Sequence, residues 1–324
     1  MKVIQERIII SRCLIFGGNG FLGSHLAEGL LSKGHEVIVF DHFKRDSINL
    51  NSIIDDITII KGEFTDEEAI SNSISDVDYV FHYISTTTPA TAIHNPVYDI
   101  ESNVIPTVKM LQLAAKSGVK KIIFPSSGGT IYGEVKKIPI NESSPLNPQN
   151  PYAISKLAIE KYLDYFYKDY GLDYLIVRYS NPYGERQNPK GTQGVIPIFL
   201  NKIKYGERPV IYGDGKSLRD YIYIKDAIEA TLLLMDNNNK ERIYNVGSGI
   251  GTSLNDLISA MQDVTGHLVS PRYVPNDRGY LNKTVLDISK IKKSVMWNPQ
   301  VSISEGIKRT WDWIYTNSEK EKNE

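Results

Sequence analysis

The stretch from Leu14 to Asp41 constrains the fold of this chain most strongly; it reads LIFGGNGFLGSHLAEGLLSKGHEVIVFD. An apolar run ending at Phe16 enters a glycine cluster, a helical pattern follows, and a second apolar run, Val37–Phe40, ends on Asp41. This order predicts a strand, a tight turn, a helix and a second strand.

Gly17, Gly20 and Gly23 have the spacing of a phosphate-binding turn. Glycines at these positions allow a sharp turn, close approach to a pyrophosphate and packing of the new helix on the sheet. The pyrophosphate would lie at the N-terminus of that helix, where unpaired N–H groups and the helix dipole favour negative charge. The turn therefore predicts a dinucleotide site.

Asp41 lies eighteen residues beyond Gly23, at the end of the second predicted strand. A carboxylate there can accept hydrogen bonds from the ribose diol of the adenosine, and it would repel a 2′-phosphate. NAD is therefore favoured over NADP. Lys44 and Arg45 leave NADP open, because either side chain could reach such a phosphate.

The composition excludes several classes of protein. With 324 residues, 41% of them hydrophobic, the chain can bury one large core and a smaller second one. The 37 basic and 38 acidic residues nearly cancel, so neither nucleic acid nor a membrane is expected as a partner. The six histidines are scattered, and no metal site is expected. A single cysteine, Cys13, cannot form an intrachain disulfide, which favours a cytoplasmic location.

Short apolar strands alternate with helices up to about residue 180, which predicts an α/β fold, a Rossmann-type doubly wound parallel sheet. The long segment 181–194 is rich in Asn, Pro, Gly and Gln and is expected to be a binding loop. We predict an NAD-binding domain at 1–180, to which 221–248 can return. A smaller C-terminal α+β substrate lobe is predicted at 181–316, and a disordered tail at 317–324.

The chain contains Tyr-x-x-x-Lys four times, and only Tyr152 and Lys156 lie in a predicted helix, 151–170. Four residues apart, they share one helical face. A free tyrosine titrates near pH 10, about three units too high for a neutral-pH base, but a neighbouring ammonium favours the phenolate. The pair can thus remove a proton from a sugar hydroxyl while hydride leaves the same carbon.

The segment FPSSGGTIYGE follows the predicted strand that ends at Phe124. Small hydroxyl side chains at the C-terminal end of a central strand can hold a substrate oxygen beside the tyrosine.

Together these motifs resemble the extended short-chain dehydrogenase/reductases, in the NAD-dependent epimerase/dehydratase group to which UDP-glucose 4-epimerases belong. The resemblance covers residues 12–314 and rests on GGNGFLG, SSGGTIYG, PYAISK, RYSNPYGERQ and IYGDGKSLRDYIYIKD. It implies a nucleotide-diphosphate sugar as substrate and a homodimer formed by helices near residues 103–117 and 151–170.

The resemblance also implies roles for individual residues. Toward the cofactor, it places Phe21 and Leu22 at the pyrophosphate, Glu63 and Phe64 near the adenine, Asn103 near the ribose, and Tyr179 and Pro182 beside the nicotinamide. Toward the substrate, it places Asn181 at the sugar diphosphate and Arg219 and Arg278 at phosphates or the nucleoside ribose.

The chain departs from the family pattern at the catalytic hydroxyl. The family's Ser or Thr lies four residues before the tyrosine of the Tyr-Gly pair, and here that residue is Gly128. Ser127 or Thr130 must supply the hydroxyl, or the step proceeds without it. In sugar 4,6-dehydratases Asp-Glu follows the hydroxyl residue, whereas this chain has Gly129 and Thr130, which disfavours dehydration.

We therefore expect an NAD-dependent 4-epimerase of a nucleotide hexose, with Tyr152 as the base. The alternative is an NAD(P)H-dependent 4-keto reductase of a nucleotide-linked 4-keto-6-deoxyhexose, which would use the same residues. A silent NAD-binding scaffold protein is the third hypothesis; the presence of both Tyr152 and Lys156 disfavours it.

Overall fold

The computed structural model describes residues 10–43, 48–236, 241–276 and 282–320. Within it the backbone forms thirteen strands. They are β1 Arg12–Phe16, β2 Glu36–Asp41, β3 Thr58–Lys61, β4 Tyr79–His82, β5 Lys121–Ser127, β6 Asp173–Tyr179, β7 Asn181–Tyr183, β8 Val210–Tyr212, β9 Leu218–Tyr223, β10 Ile243–Val246, β11 Gly251–Ser253, β12 Arg272–Val274 and β13 Lys283–Thr284.

Eleven α-helices lie between or after these strands in the described ranges. They are α1 Phe21–Ser32, α2 Glu67–Ile74, α3 Pro89–Ala92, α4 Pro96–Asp99, α5 Ile105–Lys116, α6 Pro151–Tyr170, α7 Val195–Lys204, α8 Ile224–Met235, α9 Leu254–Thr265, α10 Ser289–Val295 and α11 Ile303–Lys320. A π-helical turn, Ile100–Val104, joins α4 to α5. Within the described ranges, no helix is long and apolar enough to cross a membrane.

Seven strands form one parallel sheet in the order β10-β6-β5-β4-β1-β2-β3. The central strand β1 is almost entirely apolar, and Cys13 to Phe16 have no exposed surface. Such an uninterrupted apolar run is typical of a strand covered by helices on both faces of a sheet. The predicted Rossmann-type α/β class is confirmed.

The chain divides into two compact units by backbone proximity. The first consists of Met1–Thr86, Val97–Phe124 and Ala158–Leu175, and the second of Thr87–Pro96, Pro125–Leu157 and Ile176–Glu324. The glycine turn belongs to the first unit, whereas Tyr152 and Lys156 belong to the second. The domain boundaries expected from sequence stay a prediction; α11 continues to Lys320 and the last four residues of the expected tail lie outside the described range.

The second unit contains a smaller sheet in which β9 pairs with β7, β11 and β13. The segment expected to be a loop from residue 181 begins with β7 instead, because Asn181 to Tyr183 pair in parallel with Tyr221 to Tyr223. Three residues are too few for an apolar pattern to reveal a strand, so only its pairing with β9 makes it recognisable.

Candidate active site

The glycine turn follows β1 in the first unit and has no room for side chains. Gly17 has φ of +81°, and a β-carbon there would lie 2.7 Å from the Ile84 amide nitrogen. A β-carbon on Gly23 would lie 2.2 Å from the Gly17 carbonyl oxygen, and one on Gly20 would lie 3.2 Å from it. Gly20 is the N-cap residue of α1 and provides no side-chain cap. The first N–H groups of α1 are therefore left without a cap, as an anion site requires.

Asp41 ends β2 beside this turn and is 8% exposed. Its Oδ2 accepts a hydrogen bond of 3.0 Å from the Asn19 amide within the turn. Among the side chains that the structure describes, Asn19 also carries a buried Oδ1 atom without a hydrogen-bond partner. A crowded glycine turn, an uncapped helix and an adjacent carboxylate together fit a dinucleotide. Lys44 and Arg45 lie outside the described residues.

Phe21 and Leu22, predicted to lie along the pyrophosphate, begin α1 and are half-buried. Glu63, expected near the adenine, is exposed just after β3. Phe64 is 3% exposed and its ring centroid lies 5.2 Å from that of Phe16 and 5.0 Å from that of His82. The Phe64 side chain therefore belongs to the core, which leaves its backbone as the part available for an adenine.

Asn103 lies in the π-helical turn and anchors the segment after β4. Its Oδ1 accepts from the Thr86 amide at 3.0 Å, and its Nδ2 donates to Thr86 Oγ1 at 2.8 Å. The same Nδ2 lies 3.0 Å from the Asp99 carbonyl. Such π-helical turns are frequent at functional sites. The sequence pattern did not reveal this one, since it depends on one extra residue within a helical run.

Tyr152 and Lys156 lie in the first turns of α6, as predicted. Asn150 accepts a 3.0 Å hydrogen bond from the Ala153 amide and thereby caps the helix. Lys156 is 7% exposed, its Nζ donates to the Pro125 carbonyl at 3.1 Å, and it lies 5.7 Å from the centroid of the Tyr152 ring. The bond to Pro125 brings the pair to the end of β5, two residues before Ser127. A buried ammonium beside a phenol favours the phenolate.

The packing around Gly128 leaves no room for the Ser or Thr side chain that the family pattern has at this position. A β-carbon at this position would lie 2.7 Å from Leu286 Cδ1 and 3.0 Å from the Arg178 carbonyl oxygen. A serine or threonine would therefore collide with Leu286 and with the backbone of β6.

Three hydroxyls in or shortly after β5 and β6 are buried without a hydrogen-bond partner among the described residues. Among the described side chains, Ser126, Thr130 and Ser180 have hydroxyl oxygens that are inaccessible to solvent and make no hydrogen bond. Thr130 follows β5 in a turn where its amide donates to the Ser127 carbonyl at 3.1 Å. Unpaired buried hydroxyls are costly, so these three are candidates for hydrogen bonds to a bound molecule. The sequence analysis named Ser127 and Thr130 and missed Ser126 and Ser180, although both follow an apolar strand core.

Tyr132 ties the segment after β5 to β6 and β10. Its hydroxyl donates to Asn245 Oδ1 at 2.7 Å and accepts from Arg178 Nη1 at 3.0 Å. Burial raises the pKa of Tyr132 to about 12, although Arg178 acts in the opposite direction. The phenol therefore stays protonated at neutral pH and serves as a structural donor.

Two of the residues expected to contact the substrate, Asn181 and Arg219, lie on β7 and β9, close in sequence or register to the two expected beside the nicotinamide, Pro182 and Tyr179. Asn181 Nδ2 donates to the Asp220 carbonyl at 2.8 Å, and Arg219 is half-buried with Nη1 at 2.9 Å from the Leu218 carbonyl. Pro182 follows on β7, in register with Ile222. The Tyr179 hydroxyl, by contrast, pairs with the Thr231 hydroxyl in the core. Arg278 lies outside the described residues.

Asp220 was missed by sequence reasoning. It has no exposed surface, and its carboxylate accepts four hydrogen bonds from Ser248, Gly249 and Leu286. Burial raises the pKa of this carboxyl, and the four donors oppose that rise. It lies next to Arg219 in the segment IYGDGKSLRDYIYIKD, but its hydrogen-bond partners are distant in sequence.

The fold and these residues define a dinucleotide-dependent enzyme of the short-chain dehydrogenase/reductase type. Residues 13–247 match the model of the NAD dependent epimerase/dehydratase family, and the chain belongs to this family. The family confirms the predicted NAD cofactor and the prediction of an NAD-dependent enzyme.

Individual relatives are similar over nearly the whole chain. The crystal structure of a UDP-glucose 4-epimerase with UDP-glucose from Thermotoga maritima is 38% identical, with a TM-score of 0.90 over 95% of this chain and 99% of that one. The NAD complex of a UDP-glucose 4-epimerase from Thermus thermophilus is 33% identical, with a TM-score of 0.86 over 94% and 99%. A UDP-glucose 4-epimerase of Mycolicibacterium smegmatis is 31% identical over 95% of this chain and all of its own length.

Proposed function

We propose that this protein is an NAD-dependent nucleotide-sugar 4-epimerase whose substrate is a UDP-hexose. The observation that carries this function is the Tyr152–Lys156 pair, with a buried ammonium held at the end of β5. The UDP moiety is supported by the relatives from Thermotoga maritima and Mycolicibacterium smegmatis, both named UDP-glucose 4-epimerase.

Tyr152 acts as base and then as acid at the C4 oxygen of the sugar. Its phenolate takes the proton of the C4 hydroxyl, and the phenol returns it to the same oxygen once the sugar has presented its other face. Lys156 stabilises the phenolate by charge, and the Pro125 carbonyl holds the ammonium in place. NAD, when bound, supplies reversible hydride transfer at C4.

We assign the hydroxyl that steadies the C4 oxygen to Thr130, with Ser127 as the alternative. The buried Oγ1 of Thr130 makes no hydrogen bond among the described residues, so it has its full donor and acceptor capacity for a substrate. Gly128 supplies no hydroxyl, and the Leu286 side chain occupies the space beside it.

The proposed cofactor residues begin with the glycine turn that follows β1. The backbone at Gly17, Gly20 and Gly23 and the first N–H groups of α1, at Phe21 and Leu22, would bind the pyrophosphate. Asp41 would accept hydrogen bonds from the ribose diol, and its charge favours NAD over NADP. The further cofactor residues in this proposal are Glu63, Phe64, Asn103, Tyr179 and Pro182.

The sugar diphosphate would be bound by Asn181 and Arg219, with Arg278 as a third residue. A guanidinium matches phosphate geometry through two parallel hydrogen bonds, which makes Arg219 suited to the diphosphate. The half-buried position of Arg219 limits competition from water.

We also propose a homodimer and a cytoplasmic location. Apolar side chains on α5 and α6 are exposed, among them Ile105 at 47%, Tyr162 at 40% and Tyr165 at 45%. A second copy of the chain would cover these helices. The single cysteine, which excludes an intrachain disulfide, is typical of proteins from a reducing compartment.

The decisive experiment separates epimerase from reductase. The purified protein is denatured to release and identify its nucleotide, and the native protein is then incubated with UDP-hexoses and with 4-keto-6-deoxy nucleotide sugars separately. We expect released NAD and conversion of a UDP-hexose into its C4 isomer without net cofactor change. Stoichiometric consumption of NADH or NADPH with a 4-keto sugar would instead identify the reductase. A protein that binds NAD and converts neither substrate would be the silent scaffold.

A further inference from the structure

Asp220 is a fully buried carboxylate that the proposed mechanism leaves without a role. Its Oδ1 accepts from the Ser248 amide and the Ser248 hydroxyl, each at 2.7 Å. Its Oδ2 accepts from the Gly249 amide at 3.1 Å and the Leu286 amide at 3.2 Å. Four acceptor positions thus meet four donors, which uses the full capacity of an ionised carboxylate.

The donors come from the segments on both sides of β9. Residues 248–249 lie just before β11 and Leu286 lies just after β13, and both strands pair with β9 at Arg219, through Thr252 and Thr284. The carboxylate therefore fixes both neighbours of the strand that carries Arg219. Gly247 accommodates this arrangement, because a β-carbon there would lie 2.4 Å from Asp220 Oδ2.

The backbone of Asp220 holds a second predicted substrate residue. Its carbonyl oxygen accepts the 2.8 Å hydrogen bond from Asn181 Nδ2. Successive residues of a strand point to opposite faces, so the Asp220 side chain faces the interior while Arg219 faces the other way. Asp220 therefore acts on the site through its neighbours.

We propose that Asp220 is a positioning residue of the nucleotide-sugar site, whose carboxylate keeps Arg219 and Asn181 in the geometry that binds the sugar diphosphate. This inference rests on the proposed function.

The test compares Asp220→Asn with a matched control, Asp226→Asn. Asp226 is also buried, at 3% exposure, and its Oδ2 accepts from the amides of Gln300 at 3.1 Å and Val301 at 2.9 Å. These partners lie in a segment without predicted substrate residues. In Asp220→Asn an NH₂ group faces two of the four donors whichever way the amide is oriented, because both oxygens of Asp220 accept hydrogen bonds. In Asp226→Asn the amide oxygen can still accept both backbone hydrogen bonds, so this variant removes a buried carboxylate and keeps its partners.

For each purified protein we would measure bound NAD, Tm, the Kd of UDP by calorimetry, and kcat and KM with UDP-glucose. Asp220→Asn is expected to raise the Kd of UDP and the KM at least about tenfold, with a smaller change in kcat and unchanged bound NAD. Asp226→Asn is expected to leave the Kd of UDP, the KM and the bound NAD unchanged, whatever its Tm. Wild-type UDP affinity in Asp220→Asn, or an equal loss of affinity in both variants, would overturn the assignment.

Ser248→Ala covers the case in which Asp220→Asn does not fold. It removes one of the four donors and keeps the backbone amides, so we expect a smaller rise in the Kd of UDP. An unchanged Kd in this variant would then refute the positioning role. The wild-type protein distinguishes a failure of the proposed epimerase function from a failure of the positioning role of Asp220. If the wild type retains NAD but binds no UDP and converts no UDP-hexose, the proposed function fails.

Discussion

Leu286 occupies the space that any side chain at Gly128 would need, with its Cδ1 only 2.7 Å from the position of a β-carbon on that glycine. Gly128→Ser should therefore destabilise the protein, by about 1–3 kcal/mol as for other overpacked cores. Leu286 is fully buried, and Leu286→Ala should itself cost about 2–5 kcal/mol. Because the collision disappears when the leucine is shortened, the double variant should lose less stability than the sum of both. Denaturant unfolding of the four proteins measures this coupling; strictly additive losses would show that the two positions do not compete for space.

Tyr152→Phe should retain bound NAD and lose turnover by about 100- to 10,000-fold, because it removes the proton acceptor and donor without changing the shape of the ring. Tyr212→Phe is the matched control, since Tyr212 begins another Tyr-x-x-x-Lys and lies in β8. It should keep wild-type kcat. Steady-state kinetics and the NAD released on denaturation provide both readouts, and full activity in Tyr152→Phe would exclude the assigned role.

Asp41→Ser should weaken NAD binding by about tenfold or more, since hydrogen bonds to a charged acceptor are stronger than neutral ones. The affinity for NADP should fall less than that for NAD, or rise, because the charge that repels the 2′-phosphate of NADP is removed. The control is Glu36→Gln at the start of the same strand, an exposed acid that pairs with Arg12 at 2.8 Å. Titration of both dinucleotides into protein stripped of its cofactor gives the ratio of affinities. A ratio equal to that of the wild type would argue against the ribose contact.

The capping box of α9 provides a test of stability against pH. Ser253 and Asp256 bond reciprocally across the first turn, and hydrogen bonds from the Ser253 side chain and backbone lower the pKa of Asp256 below its ordinary 3.8. The folded pKa lies below the unfolded one, so this stabilisation is complete above about pH 3.8 and is lost as the pH falls through the folded pKa. Asp256→Ala should therefore cost about 1 kcal/mol at neutral pH and less in acid. The urea midpoints of the wild type and of Asp256→Ala, at neutral pH and in acid, measure the difference. Asp263→Ala, later in the same helix, is the control, and its midpoint should differ little from that of the wild type.

The proposed dimer predicts that light scattering gives twice the mass of the chain. Tyr165→Asp introduces a charge on the exposed apolar face of α6 and should produce monomers, because burying an unpaired charge in an interface is costly. Tyr205→Asp is the control: Tyr205 follows α7 and is 52% exposed, similar to Tyr165 at 45%. It should leave the dimer intact. A monomeric wild-type protein would contradict the proposal.

Local patterns sufficed for the features that depend on neighbours in sequence. The glycine spacing, the acid at the end of β2 and the Tyr152–Lys156 pair were predicted because turns and helical faces are set by residues a few positions apart. The alternation of strands and helices likewise predicted the parallel sheet, since each strand must be covered by the helix that follows it.

Contacts between distant segments were decided by the tertiary structure alone. The sequence left Ser127 and Thr130 as alternatives, and our proposal of Thr130 rests on the burial of its hydroxyl, which makes no hydrogen bond within the described part of the chain. The reason for Gly128 lies at Leu286, and the partners of Asp220 lie 28 to 66 residues away. Such contacts carry no periodic signal, because packing and buried hydrogen bonds depend on how the chain returns to itself. By itself the sequence determined the fold class and predicted the glycine turn and the Tyr152–Lys156 pair, whereas the folded chain decided which buried groups lie against Arg219 and Asn181, because those groups come from segments distant in sequence.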